Sequence, residues 1–255
     1  MSRPAPETFR LPSSWPAPTH GVVHVWLWQV SDAPLTEEEL LPLDPAEQQR
    51  AARFRVARHR ARWVRSHTGM REILAKYLDI DAANIRFRRD AHGKPGLHAD
   101  HEAAASLAFN LSHSAFWCGL AIATGTAIGL DIQVPHPIDP CLWRRVLTSS
   151  EHLEMNALPP SEQDAAFFRC WTRKEALGKA EGRGIYPHLR RTTTGLGPVR
   201  GPFLVKADNG TGTVLRWHLQ DLPLMPGLFG AVASSHPAEL EVRQVSFPVA
   251  VRPQN

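Results

Sequence analysis

No apolar run in the 255 residues approaches the length needed to cross a bilayer, and the first twenty lack the apolar core of a secretory signal. Those absences predict a cytoplasmic protein that neither crosses a membrane nor binds one, with residues 1–20 forming a proline-rich arm. Cysteine is scarce. Cys118, Cys141 and Cys170 are an odd set without metal-ligand spacing, which excludes a disulfide framework and a cysteine zinc site. There is no Walker-type phosphate loop, so ordinary ATP binding has no support. Acidic residues are absent from Arg50 to Arg65, a stretch holding seven arginines.

What is present describes a globular chain, 43% apolar and 21% charged. A net charge of +4 and a pI near 9.2 are modest for a nucleic-acid binder, and they favour an acidic partner or a phosphorylated substrate instead. In the arginine run, seven like charges in sixteen residues repel one another. A solvated helix face or a bound polyanion would each account for them.

Val22–Val30 is β-branched and aromatic and reads as a strand. Asp44-Pro45 reads as a helix start, with helical pattern continuing to about Leu78, where Trp63, Met70, Ile73, Leu74 and Tyr77 share a buried side. Short strands follow at Ile85–Arg88 and Leu107–Asn110, separated by the turn Asp90–Gly96. Further strands are expected at Phe116–Ala123 and Ala127–Val134. Helical pieces between 138 and 158 lead to one long helix, Ser161–Glu181, and then to strands at 213–219, 228–233 and 242–247. No strong residue-level repeat exists, yet the order of strand, long helix and strands occurs twice. The fold class is therefore α+β, a pseudo-twofold repeat of two halves, 21–125 and 126–255, with a ligand cleft between them.

Gly129-Leu-Asp131-Ile-Gln133 sets Asp131 and Gln133 on one face of a strand, roughly 6 to 7 Å apart. A buried strand carboxylate needs a partner, so Asp131 either caps a turn, accepts from an arginine or binds a cation. Glu175 and Lys179, four apart in Trp171-Thr-Arg-Lys174-Glu175-Ala-Leu-Gly-Lys179, leave one face of the long helix. An exposed ion pair fits that spacing. So does a site in which Asp131 and Glu175 share one Mg²⁺ while Lys174 and Lys179 neutralise phosphates. Asn110-Leu-Ser112-His113-Ser114 offers hydroxyls and an imidazole at a strand end, where a following helix turn would expose N–H groups to an anion. A capping Ser112 with an exposed His113 fits the same residues.

Together with Gly93-Lys94-Pro95, these motifs resemble, in order, the signature of 4′-phosphopantetheinyl transferases of the larger surfactin-synthetase-activator type, from about Leu43 to Ala233. The resemblance implies a monomer of two similar halves with coenzyme A and Mg²⁺ in the cleft. A serine hydroxyl of an apo carrier protein would attack the phosphorus next to pantetheine, and adenosine 3′,5′-bisphosphate would leave. Asp131 and Glu175 would hold the metal, with Gln133 where many members carry Glu. Lys174 and Lys179 would meet the pyrophosphate. Arg50, Ser112 and His113 would hold coenzyme A phosphates, Gly93, Lys94 and Pro95 would line the adenine pocket, and Arg62 would lie by the nucleotide. Catalysis would fall to Glu175 as base, directly or through a water, with Lys179 on the leaving group and Asp131 beside them. Glu47 stands where some relatives carry a base. A Mg²⁺-dependent phosphodiesterase and a non-catalytic carrier-protein or nucleotide binder are the competing classes. The first would want Glu and Lys closer together on a strand; the second would not need Asp131, Glu175 and both lysines.

Overall fold

Alternation of residues on β1 (Val22–Gln29) sets the strand between two cores, one of them shared with the second half of the molecule. Val23, Val25 and Leu27 face one apolar cluster, and Trp26 and Trp28 face another, as expected of a strand buried on both sides. The computed structural model describes residues 15–101, 106–182, 189–208 and 214–244. Asp44 caps α1 (Pro45–Ala52) in a reciprocal capping box with Glu47, and α2 (Ala57–Leu78) ends at Asp79 in a left-handed conformation. Met70, Ile73 and Leu74 pack under β1, whereas Trp63 belongs to a separate cluster with Leu43, Ala51 and Val64. The hairpin β2 (Phe87–Arg89) and β3 (Pro95–Leu97) precedes β4 (Leu107–Ser114) and β5 (Trp117–Thr124). β4 is thus longer than its expected span: Asn110–Ser114 lies inside the strand, and a two-residue turn, with Ala115 at φ 51°, leads to β5 rather than to a helix.

The second half starts with β6 (Ile128–Gln133), passes through α3 (Trp143–Val146) and α4 (Ser149–Ala157) to α5 (Pro160–Glu181), and ends in β7 (Phe203–Asp208), β8 (Val214–Asp221) and β9 (Phe229–Ser234). Within each half the first strand pairs antiparallel with the last strand of the following hairpin: β1 with β5, β6 with β9. The long helices α2 and α5 have 22 residues each. The repeat reaches individual side chains. Arg71 of α2 and Arg173 of α5 are both fully buried, each bonded to carboxylates and loop carbonyls, and each stacked on the first phenylalanine of a following strand, Phe87 or Phe203. β10 (Glu239–Gln244) departs from the expected division. It lies parallel to β1 at the edge of the first sheet, so the order is β10-β1-β5-β4 against β6-β9-β8-β7. The expected strand at 242–247 therefore begins earlier, at Glu239, and residues 245–247 fall outside the described residues.

The halves meet where β4 lies along β6 without pairing to it through the backbone. Asn110, Ser112 and Ser114, alternate residues on one face, accept from the backbone N–H groups of Leu130, Ile132 and Val134 at 2.8, 3.2 and 2.9 Å. Side-chain oxygens thereby satisfy the free edge of β6.

Candidate active site between the two halves

Gly129 fixes how closely α5 approaches β6. A Cβ there would lie 2.0 Å from the Ala176 carbonyl oxygen and 2.4 Å from the Ala180 nitrogen, so helix and strand backbones touch. Two residues further along the same strand face, Asp131 meets the next turn of α5. Its Oδ1 accepts from Lys179 Nζ at 2.7 Å and from Ser112 Oγ at 3.0 Å. Lys179 Nζ also donates to Ser112 Oγ and to the Leu130 carbonyl, both at 3.0 Å. One strand of each half and the long helix of the second thus share a single polar knot.

That knot leaves two oxygens unsatisfied. Asp131 Oδ2 and Glu175 Oε1 are buried without a hydrogen-bond partner. Burial pushes the Glu175 carboxyl up, the nearby Asp131 charge pushes it further, and Lys179 offsets part, leaving it at about 7. Orphaned, mutually repelling carboxylate oxygens fit a cation that would satisfy both. Among the described residues no group of three or more His, Cys, Asp or Glu could hold a metal. Two carboxylates suit an ion that completes its shell with water and ligand phosphate oxygens, as Mg²⁺ does. Gln133, on the same strand face, donates its amide to the Val134 carbonyl at 3.0 Å.

Two cavities open on the first half near this corner. One, of about 200 Å³, is lined among others by Arg50, Trp63, His67, Arg89, Pro95 and Leu111. The Arg50 guanidinium lies over the Trp63 ring at 5.5 Å, and His67 stacks on the same indole at 3.9 Å. The other, of about 280 Å³, holds His113 and Arg62 in its lining. Burial lowers the pKa of His113, and the Lys179 charge lowers it further, against a smaller opposite pull from Asp131.

The expected site residues do not all converge. Asp131, Lys179 and Ser112 meet directly and Glu175 feels the charges of the first two, whereas His113, on the other face of β4, lines the 280 Å³ cavity. Lys174 does not join them: its ammonium is buried in the core of the second half, bonded to Glu151 Oε2 at 2.5 Å and to the Val146 and Leu189 carbonyls. The i,i+1 step on a helix turns it away from Glu175, so the expected phosphate contact is corrected to a structural ion pair. Ser112 is tied up with Asp131, Lys179 and β6 rather than standing at an anion-binding helix start. Lys94 donates to the Ile128 and Ala180 carbonyls, so it braces both β6 and α5; Pro95 lines the 200 Å³ cavity, and Lys94 and Pro95 both line a further one of about 480 Å³. Gly93 turns the β2–β3 hairpin at φ 84°. Two arginines of the run find distant counter-charges, Arg62 with Asp32 at 2.5 Å and Arg65 with Glu39 at 2.6 Å. Glu47 is the third-position partner of Asp44 in the capping box of α1 and pairs with buried Arg71 at 2.5 Å, which explains an acid at that position.

Arg89, His67 and Glu151 were not singled out from the sequence. Glu151 carried a signal, the Thr148-x-x-Glu151 capping pattern; the other two line a cavity that only the packing of β2 against α1 and α2 creates.

Residues 27–125 match the family model described as 4′-phosphopantetheinyl transferase, N-terminal, and residues 127–236 match that of the 4′-phosphopantetheinyl transferase superfamily. The chain is 32% identical to 4′-phosphopantetheinyl transferase HetI of Nostoc sp. over 182 residues, covering 64% of this chain and 76% of that protein. It is 26% identical to 4′-phosphopantetheinyl transferase Sfp of Bacillus subtilis over 210 residues, 81% of this chain and 90% of that protein. Against 4′-phosphopantetheinyl transferase AcpT of Salmonella typhimurium, identity is 44% over 94 residues, 35% of this chain and 46% of that protein. With two halves that match the family's two models and a relative covered over three quarters of its length, the chain belongs to the 4′-phosphopantetheinyl transferase superfamily and is an enzyme of that kind.

Proposed function

We propose that the chain transfers 4′-phosphopantetheine from coenzyme A to a serine of an apo carrier protein, using Mg²⁺ held by Asp131 and Glu175. The observation that carries the metal assignment is the pair of buried, partnerless oxygens, Asp131 Oδ2 and Glu175 Oε1. Bound there, the ion would neutralise the pyrophosphate and polarise its P–O bonds. Gln133 would contribute an amide oxygen or a water contact in place of a third carboxylate.

The chain's own groups divide the remaining work. The serine oxygen bonds to the phosphorus next to pantetheine, the bond from that phosphorus to the bridging oxygen breaks, and adenosine 3′,5′-bisphosphate departs with the electron pair. Glu175 takes the serine proton, directly or through a water. Lys179 stabilises charge on the leaving phosphate. Arg50 and His113 hold phosphates of coenzyme A, with Arg62 alongside, and the cavity containing Pro95, Trp63 and Arg89 receives the adenine end. The protein acts as a cytoplasmic monomer, without nucleic acid. No described helix is long and apolar enough to cross a membrane.

The test is incubation with coenzyme A, Mg²⁺ and several apo carrier proteins, read by mass spectrometry. One added phosphopantetheine per carrier supports the reading; no addition to any carrier overturns it.

A further inference from the structure

The catalytic corner does not account for the exposed start of α2. Residues 55–59 are all exposed, and Arg55 and Arg58 have no ion pair among the described residues. Two of the few large apolar side chains at the surface lie in this region: Val56, 41% exposed, and Phe116, 43% exposed, in the β4–β5 turn. Phe116 is held in place. The Arg62 guanidinium lies 4.1 Å from its ring centre, and Asp32 grips that guanidinium at 2.5 and 2.7 Å. Asp32 in turn feels the charges of Arg58 and His59, which puts them on the same face. Beside them opens the 280 Å³ cavity, walled by Val30, Phe54, Trp63 and Cys118.

This face runs into the reaction centre. His113 lines the cavity and senses the charges of Lys179 and Asp131. Phe116 is two residues past Ser114, whose hydroxyl accepts from Val134 N at the end of β6, next to Gln133. A protein seated on the face would reach the corner without crossing the nucleotide cavity around Arg50 and Pro95.

We propose that Arg55–His59 and Phe116 form the docking surface for the acceptor protein, which meets the cations with an acidic face and packs an apolar side chain on the Phe116 ring. The proposal rests on the transferase reading above and names where its protein substrate binds. Immobilised aromatic and arginine side chains around a pocket are the usual source of binding energy at such interfaces. Unpaired cations raise encounter rates with an acidic partner. The aromatic stretch from Cys141 to Phe168 offers less. Trp143, Val146, Leu147, Met155, Phe167 and Phe168 pack into the core of the second half, and Leu153, 73% exposed, is its one large apolar side chain left at the surface among the described residues.

The test is steady-state transfer by wild type, Arg58→Glu, Phe116→Ala and Leu153→Ser, with carrier and coenzyme A varied separately and melting temperatures measured alongside. We expect Arg58→Glu and Phe116→Ala to raise the carrier KM by about tenfold while leaving the rate at saturating carrier unchanged; the coenzyme A KM should stay the same in Arg58→Glu and rise by less than about threefold in Phe116→Ala, whose ring holds Arg62. Leu153→Ser should match wild type, and added salt should raise the carrier KM of wild type more than that of Arg58→Glu. Should a substitution lower the melting temperature, the fully solvated Arg58→Gln replaces it. An unchanged carrier KM in both first-half variants, an equal rise in the coenzyme A KM, or an effect confined to Leu153→Ser overturns the proposal. Wild type that modifies no carrier overturns the transferase reading itself, a separate outcome.

Discussion

Lys179 donates to Asp131 Oδ1 at 2.7 Å, and the bond spans a helix and a strand whose backbones touch at Gly129. Because Ser112 also bonds that oxygen, Oδ1 is satisfied while Oδ2 is left buried without a partner. The ammonium therefore orients the carboxylate as well as lending charge to the site.

Lys179→Ala should lower kcat by about a hundredfold or more while changing the coenzyme A KM by less than about threefold, since its charge matters most as the bisphosphate leaves. Kinetics with both substrates varied check this. Equal losses in the two parameters would mean that Lys179 only binds.

Gln133→Glu should tighten magnesium binding, on the order of tenfold, by adding a third carboxylate to the face that holds Asp131. Calorimetric titration of the protein with magnesium alone reads it out. Tighter binding by wild type would remove Gln133 from the metal's surroundings.

Lys174→Met should act on stability. It strands Glu151, a fully buried carboxylate whose pKa is pushed up by burial but brought below the ordinary value by the Lys174 charge and by bonds from Lys174 and backbone N–H groups. The expected loss is about 3 to 5 kcal/mol in urea unfolding, partly recovered in Glu151→Gln/Lys174→Met, whose amide oxygen still accepts from backbone N–H groups that Glu151 serves. Unaltered stability with weakened coenzyme A binding would restore the phosphate role expected from the sequence.

Gly129→Ala should cost more than about 3 kcal/mol, because the added methyl has backbone rather than a flexible side chain in its way. Thermal unfolding measures the cost. Magnesium titration of the remaining folded protein should show weaker binding, since α5 must move away from β6 and carry Glu175 with it.

His67 gives a pH dependence. Burial first, with Arg50, His113 and Arg71 adding to it and a bond to the Trp63 carbonyl opposing, brings its pKa down to about 4, against an unfolded value near 6.5. Between those values the unfolded chain binds the proton and the folded one does not. Stability is therefore fully present above pH 6.5 and is lost as pH falls toward 4, on the order of 2 kcal/mol. His67→Gln should flatten that limb in melting curves taken from pH 7 to 4; an unchanged limb would point to the carboxylates instead.

The chain order of elements was legible because local chemistry sets it. The Asp44-Pro45 start, the glycine after Glu181 and the β-branched run from Val22 each act over a few residues, and the structure has the corresponding elements where they were expected. The motif residues Asp131, Glu175 and Lys179 were legible for the same reason, since strand and helix periods place each on a face whatever the rest of the chain does. Which face meets which was not legible. Lys174 and Glu175 are neighbours in sequence, yet one is buried against Glu151 and the other is turned toward Asp131, a choice made by the packing of α4 and β6 on opposite sides of α5. Local pattern sets Ser112 at a strand end, but β4 runs on past it, and it sets β10 in the second half, but β10 pairs with β1. Periodicity is encoded within each segment. The partner across a strand edge or a helix face depends on the whole chain closing on itself, and that closure decided which carboxylate oxygens were left free.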